Sequence, residues 1–303
     1  MNFLTAPYRT EVMWVLLSDG WKDYELIDAS NGEKLERWGN IILRRPDPQA
    51  IWLEKGNEKM WTRADAHYHR SKSGGGSWEY HSKLPEAWQI KYGELVFNVK
   101  PMGFKHTGIF PEQAVNWDFI IDKIKNAGRP IKVLNLFAYT GGATIASAYA
   151  GAEVVHVDAS KGMVQWAKEN AQSSGLREAP VRYIVDDVIK FVDREGRRGN
   201  KYDCIIMDPP SYGRGPKGEI WKFEDELYSL IQKCMKIMSD NPLFFIINSY
   251  TTGISSTVVA NVLELTVGRR FKGTVTHSEI GLPITELGLN LPCGATTRWF
   301  AKD

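Results

Sequence analysis

The sequence predicts an α/β protein: a seven-stranded, doubly wound, mostly parallel sheet joined to a smaller N-terminal β-rich domain. Three observations carry this. From residue 131 onward, short apolar runs alternate with stretches of helical period, as βα units of a parallel sheet do. Before residue 105, short alternating stretches are separated instead by turn residues. Seven of the eleven tryptophans (Trp14, Trp21, Trp38, Trp52, Trp61, Trp78 and Trp88) also fall in that first part. A chain of 303 residues accommodates two such units. The expected domains are a β-rich one at 1–104 and an α/β one at 105–303.

In the first domain YELIDA, NIILRR, AIWLEK and LVFNVK read as strands, punctuated by Asn31-Gly32 and by the prolines at 46 and 48. SKSGGGS, residues 71–77, reads as a flexible loop. In the second domain NWDFIIDKIKN, residues 116–126, has helical periodicity. The alternation then begins. IKVLNLF is a strand and ATIASAYA a helix; EVVHVDA is a strand, and KGMVQWAKENAQSSG a helix ending at Gly175. VRYIVDD is a strand and VIKFVDREGR a helix; YDCIIMDPP is a strand stopped by proline, and ELYSLIQKCMKIM a helix. LFFIINS is a strand and SSTVVANVLELTVG a helix. FKGTVTHSEI and ATTRWFAK close the chain with no helix between them, so one should run antiparallel.

Composition narrows the class. Hydrophobic residues at 43% and charged residues at 24% are globular proportions and exclude disorder as the main state. A net charge of +2 permits a nucleic-acid partner without demanding one. Cys204, Cys234 and Cys293 have neither zinc nor disulfide spacing, which points to a reducing, cytoplasmic compartment. The six histidines show no metal-ligand spacing, and no metal site is expected. The first residues do not form a secretory leader, and no apolar run is long enough to span a membrane. Oligomeric state is left open between monomer and homodimer.

Ligands of open α/β sheets bind beyond the carboxyl ends of the strands. After the first strand stands Asn135-Leu-Phe-Ala-Tyr-Thr-Gly-Gly142, where two glycines open a helix and let backbone approach a ligand. The spacing is not the dinucleotide fingerprint. After the second strand, Asp158 can accept from both hydroxyls of a ribose, or can cap a helix with Ser160. Asp186-Asp187 after the third strand can meet an adenine edge or cap the next helix. Asp208-Pro-Pro-Ser-Tyr212 after the fourth offers a stiff turn and an aromatic ring for a planar substrate. Glycine turn, acid, acid and Asp-Pro-Pro on successive strand ends is the arrangement that binds S-adenosylmethionine.

VLNLFAYTGGATIASAYAGAEVVHVDASKGMVQWAKENAQSSGL, VDDVIKFV and YDCIIMDPPSY together resemble the S-adenosylmethionine-dependent methyltransferase family that includes the 23S rRNA cytosine-C5 enzymes. KHTGIFPEQ, residues 105–113, resembles the segment K-T-G-x-F-x-D-Q-R ahead of that family's catalytic domain. The resemblance covers about residues 100–250. It implies a Rossmann-like methyltransferase sheet with S-adenosyl-L-methionine as cofactor and S-adenosyl-L-homocysteine as product. It further implies that Thr107, Gly108, Phe110 and Gln113 help enclose the cofactor. Asn135, Phe137, Ala138, Thr140, Gly141 and Gly142 would line its methionine side. Asp158, with Ala159, would hold the ribose; Asp187 or Asp186 would meet the adenine. Asp208, Pro209, Pro210 and Tyr212 would sit at the reacting centre.

This chain departs from the family at three places. The cytosine-C5 enzymes carry a nucleophilic cysteine after the fifth strand; here that strand ends Ile246-Ile-Asn-Ser-Tyr250. Carbon-5 of cytosine needs covalent activation, whereas a nitrogen needs only a lone pair aimed at the methyl. Methylation of an RNA base at nitrogen is therefore the favoured reading. The alternatives are C5 methylation using Cys293, a protein or small-molecule acceptor, or a cofactor-binding module without turnover. Ala114 stands where the family often has Arg, and the tryptophan-rich N-terminal part does not follow the family's usual domain. Arg214 and Lys217, beyond the Asp-Pro-Pro turn, are candidate phosphate contacts, and Asn248 is placed with them on the substrate side. The run Arg194, Arg197, Arg198 and Lys201 reads as a solvated helix end.

Overall fold

The computed structural model describes residues 15–71, 75–214 and 220–302. The N-terminal stretches form β1 (Val15–Leu17), β2 (Tyr24–Ser30), β3 (Glu33–Trp38), β4 (Ile41–Pro46), a short helix α1 (Glu58–Trp61), β5 (Ala66–Arg70), β6 (Gly76–Tyr80), β7 (Trp88–Tyr92) and β8 (Leu95–Val99). Asn31-Gly32 makes the turn between β2 and β3 with φ of 50° and 75°, the two left-handed residues that a tight hairpin requires. One expected strand is absent: residues 50–55, AIWLEK, pair with no ladder. Ala50 is buried and the Trp52 indole donates to Ala29 O at 2.6 Å. Ile51 and Leu53 are 83% and 73% exposed, so the alternation anchors a loop rather than a strand. Of the expected loop 71–77, Gly76 and Ser77 already belong to β6, and residues 72–74 lie outside the described residues.

A 3-10 turn (Pro111–Gln113) leads into α2 (Ala114–Lys125), and the alternation follows: β9 (Lys132–Leu136), α3 (Gly142–Tyr149), β10 (Glu153–Asp158), α4 (Lys161–Ser173), β11 (Val181–Val185), α5 (Val188–Arg198) and β12 (Cys204–Met207). A hairpin of β13 (Tyr212–Arg214) and β14 (Ile220–Lys222) precedes α6 (Phe223–Met235) and β15 (Phe244–Ser249). The last helix is α-helical only over α7 (Ser256–Leu263) and ends in a π-turn at Glu264–Gly268. β16 (Gly273–Ile284) and β17 (Leu289–Ala301) close the chain.

The sheet order is β11-β10-β9-β12-β15-β17-β16, the seven-stranded arrangement expected. β9 to β12 and β15 pair in parallel, and β17 is antiparallel to both neighbours. Because successive strand residues face opposite sides, Val133, Val154, Ile206 and Ile246 meet Ile120 of α2 and Ile145 of α3 on one face. Leu134, Val155, Ile205 and Phe245 meet Phe191 of α5, Leu230 of α6 and Leu263 of α7 on the other. The N-terminal strands join the same sheet. β2 pairs β16 at Leu26 and Ile284, the order continues through β3, β4, β5 and β6, and β1 also lies on β16. The separate hairpin β7–β8 packs on α4, where Asn98 N and Nδ2 donate to Asn170 Oδ1 at 2.8 and 3.0 Å. Among the described residues no helix is long and apolar enough to cross a membrane.

Candidate active site

The chain leaves β9 through a bend that most side chains avoid. Phe137 and Tyr139 have φ of 54° and 49°, and Gly141 has 87°. Left-handed non-glycine residues persist only where their surroundings hold them. Ala138 N donates to Val157 O at 3.0 Å, and Tyr139 N to Asp158 Oδ2 at 2.9 Å. Thr140 Oγ1 donates to Gly108 O, and Asn170 Nδ2 donates to Thr140 O at 3.0 Å. The two glycines serve packing as well as any ligand. A Cβ on Gly141 would stand 2.9 Å from Ala167 Cβ, and one on Gly142 would stand 2.8 Å from the Trp117 ring. They let α3 approach α4 and α2.

A cavity of about 740 Å³ runs across the strand tips, within the range of small-molecule sites. Asp158 and Ala159 line it at the end of β10. Asp158 accepts from Tyr139 N and, at 2.8 Å, from Ser160 N; burial still raises its carboxyl above the usual range. Each oxygen keeps a lone pair for a hydroxyl donor. At the end of β11, Asp187 lines the cavity with Val188 and Ile189 while its side chain caps α5, accepting from Lys190 N at 2.9 Å. Asp186 does not line it: its carboxylate is paired with Arg194 and also accepts from Asp187 N. A carboxylate, a second acidic residue beside two aliphatic side chains, and a glycine bend suit ribose, adenine and an amino-acid tail in turn. The donor set fits an adenosyl ligand.

The far end holds carboxyl groups with raised proton affinity. Asp208, Pro209 and Pro210 line the cavity, and burial, with the nearby Glu112 carboxylate, pushes the Asp208 carboxyl up to about 7. Glu112 is also raised, chiefly by burial. Tyr250, directly after β15, donates to Glu112 Oε1 at 3.1 Å and accepts from Gln113 Nε2 at 2.7 Å. The Pro210 carbonyl accepts from the Trp221 indole at 2.6 Å, which places that ring on the cavity wall. Cys293 reaches the same cavity, but burial raises its thiol well above the usual value and neighbouring Glu112 adds to the shift.

The opposite wall comes from the N-terminal strands. Lys34, Arg45 and Lys105 line it, with Asp47. Burial alone would raise the Glu36 carboxyl, but Arg45 at 2.6 Å and Lys34 at 3.6 Å hold it at about 2. Lys34 also meets Asp47 at 3.2 Å. His106, on the same wall, is pushed down to about 3 by burial and by the cations Arg45 and Lys105, so it is a neutral imidazole.

Most residues expected at the site converge on it. Phe110, Phe137, Asp158, Ala159, Asp187, Asp208, Pro209 and Pro210 line the large cavity. Gln113, Asn135, Ala138, Thr140, Gly142 and Asn248 line a smaller pocket of about 50 Å³ beneath it, which also touches Phe110, Phe137 and Asp208. Asn248 is therefore internal: its Oδ1 accepts from Asn116 Nδ2 at 2.9 Å. Thr107, Gly108, Gly141 and Asp186 line neither cavity and support the walls. Tyr212 is 50% exposed on the β13–β14 hairpin and outside the cavity lining; the aromatic side chains that line the cavity include Phe110, Tyr139, Trp221 and Tyr250. The Arg214 side chain and Lys217 lie outside the described residues. Glu112 and Tyr250 were missed although both fall in quoted segments, while nothing in the sequence of β3 or β4 marks Lys34 or Arg45 as cavity residues.

Parallel strands β9–β12 and β15 with a cleft at their carboxyl ends whose donors fit an adenosyl ligand, and Asp-Pro-Pro beside it, match a nucleoside-dependent transferase. The chain belongs to the S-adenosylmethionine-dependent methyltransferase family, whose model matches residues 60–249. It is an enzyme, and its methyl donor is S-adenosylmethionine. A crystal structure of a SAM-dependent methyltransferase from Agrobacterium tumefaciens is similar over 95% of this chain and 93% of that one, with 38% identity and a TM-score of 0.89. Ribosomal RNA large subunit methyltransferase K/L of Shewanella frigidimarina is 31% identical over 48% of this chain and 20% of its own length. Ribosomal RNA large subunit methyltransferase I of Aeromonas salmonicida is 37% identical over 35% of this chain and 26% of its own. The alignments thus span only about a fifth to a quarter of the length of these curated relatives.

Proposed function

We propose that the chain methylates a ring or exocyclic nitrogen of an RNA base, with ribosomal RNA as the substrate class. The observation that carries the choice of atom is the pair of carboxyls, partly buried Asp208 and buried Glu112, at a cleft where the position after β15 holds Tyr250 and no thiol. The names of the two ribosomal RNA methyltransferase relatives support the substrate class. Three cations on the cavity wall, Lys34, Arg45 and Lys105, support a phosphate contact, with Lys34 and Arg45 already paired to Glu36 and Asp47.

S-adenosylmethionine supplies a methyl group already activated on a positive sulfur. Asp158 accepts from the ribose hydroxyls, and Asp187 with Val188 and Ile189 borders the adenine. Phe110, Tyr139, Trp221 and Tyr250 clasp the flat faces of the base. The carbonyl oxygen of Pro209 and the Asp208 carboxylate accept from the acceptor N–H and aim its lone pair at the methyl. As the nitrogen–carbon bond forms and the sulfur–carbon bond breaks, the nitrogen gives its proton to Asp208, whose raised affinity suits it as acceptor near neutrality. Asp208 then loses the proton to water. C5 chemistry would need a thiolate, and Cys293 is held as the thiol. Lys34, Arg45 and Asp47, from the N-terminal part of the chain, serve in this reading as the substrate-side wall.

The test is transfer of labelled methyl to unmodified ribosomal RNA, followed by mass spectrometry of its nucleosides. Label in an N-methylated nucleoside is the expected result. Label on carbon-5 of a pyrimidine would replace the nitrogen reading, and label in protein alone would remove the RNA reading. Binding to RNA should weaken steeply with salt.

A further inference from the structure

β6 is the terminal strand of the thirteen-stranded sheet, and β5 is its neighbour. His67 and His69 are two residues apart on β5, so both side chains leave one face. Glu79 of β6 is the register partner of His67 and shares that face. The imidazole rings of His67 and His69 lie 3.9 Å apart between centroids. His69 Nε2 is 2.7 Å from Glu79 Oε2, and His67 Nε2 is 2.6 Å from Glu33 Oε1. One nitrogen of each ring and one carboxylate oxygen of Glu79 all lie within 4.8 Å of one another. His81, two residues beyond Glu79, brings Nδ1 to 3.9 Å from Glu79 Oε1.

We propose that His67, His69 and Glu79 form a site for a divalent transition-metal ion, best suited to zinc, with the fourth position open to water. Two imidazoles and a carboxylate are borderline donors that select zinc over calcium or magnesium. Tetrahedral zinc with bonds of about 2.0–2.1 Å separates its ligand atoms by roughly 3.3 Å. The His69–Glu79 contact would open by about half an ångström and the wider separations would close, within the reach of side-chain rotation.

Glu33 stands on a His67 ring nitrogen, the position of the carboxylate that orients a ligating histidine, and is itself paired with Arg44. His69, Glu79 and His81 are about half exposed, which leaves an entry path. The ion would clip the outermost strand to its neighbour, where a sheet is most open to fraying or mispairing. This inference stands apart from the methylated substrate.

Full-length protein without an affinity tag, stripped with chelator, is titrated with zinc chloride by calorimetry and with cobalt(II) by visible absorption. One equivalent should bind, with the strong visible bands of four-coordinate cobalt. His69→Ala and Glu79→Gln should each weaken zinc at least about tenfold, and the pair together should abolish the cobalt bands. His277→Ala, away from this edge on β16, should change neither. S-adenosylmethionine binding, retained in each variant, reports that the fold is intact, and His69→Gln provides a milder second substitution. Zinc bound equally by wild type and the His69→Ala/Glu79→Gln variant, or weakened equally by His277→Ala, means an adventitious ion only and overturns the proposal.

Discussion

Replacing Asp208 by Asn keeps the size of the side chain and one acceptor oxygen but removes the group that takes a proton. The wild-type carboxyl is pushed to about 7 by burial and by Glu112. Its ionised fraction therefore climbs from roughly a tenth at pH 6 to roughly nine tenths at pH 8. If that carboxylate receives the acceptor's proton, kcat/KM should rise nearly tenfold across the interval. Asp208→Asn should lose the rising limb and run about 10²–10⁴-fold slower, the usual value of a positioned base. Glu112→Gln removes the negative neighbour and should move the limb to lower pH without abolishing it, because burial is the larger cause. Initial rates with labelled methyl donor, over a pH series at saturating donor, measure all three. A limb of the same height and midpoint in Asp208→Asn would refute the role of Asp208. The same shift has a stability sign. A carboxyl raised on folding contributes stability that is present below its unfolded value near 4 and lost as pH rises through about 7. Asp208→Asn should therefore gain on the wild type on the alkaline side in denaturant titrations.

Asp158→Ala should weaken S-adenosylmethionine binding by about 1–3 kcal/mol, from loss of hydrogen bonds to a charged acceptor; calorimetry reads it, and unchanged affinity counts against the ribose assignment. Cys293→Ser should leave methyl transfer largely intact, and complete loss with the fold preserved would revive a covalent mechanism. Glu36→Gln should cost about 3–5 kcal/mol in chemical denaturation, because Arg45 is left buried without its partner. The Glu36 carboxyl is lowered to about 2, so the stability it contributes is present above its unfolded value and is lost as pH falls toward 2. A wild type that loses no more stability on acidification than Glu36→Gln does would show that this ion pair is not coupled to folding.

The βα alternation was legible because the central strands β9, β10, β12 and β15 are buried on both faces and the helices between them carry apolar stripes. No local sequence rule competes with that pattern. The N-terminal strands were harder to read. β5 and β6, AHYHR and GSWEY, carry polar residues outward and lie at the sheet edge, so the apolar period that marks a strand is faint. AIWLEK shows the converse, an alternation that long-range anchoring of Ala50 and Trp52 turned into a loop.

Within the cleft, the placement of Asp158 and Asp208-Pro-Pro was readable because it follows directly from position at a strand tip. Tyr212 was readable only as an aromatic near the turn. The hairpin β13–β14 carries it outward and brings Trp221, nine residues on, against the Pro210 carbonyl instead. Asp186 and Asp187 are adjacent in sequence, and the entry into α5 decides that one faces the cleft while the other pairs with Arg194.

By itself, then, the sequence determined the sheet, its order of glycine bend and acids, and the family of chemistry, all consequences of local periodicity and side-chain type. Only the tertiary structure decided which groups share a cavity. Lys34 and Arg45 reach the cleft because β2 extends the catalytic sheet beside β16. Burial, and after it Glu112, raises Asp208 because the turn Pro111–Gln113 lines the same cavity as the residues after β12 and β15, and that burial depends on contacts between residues almost a hundred positions apart.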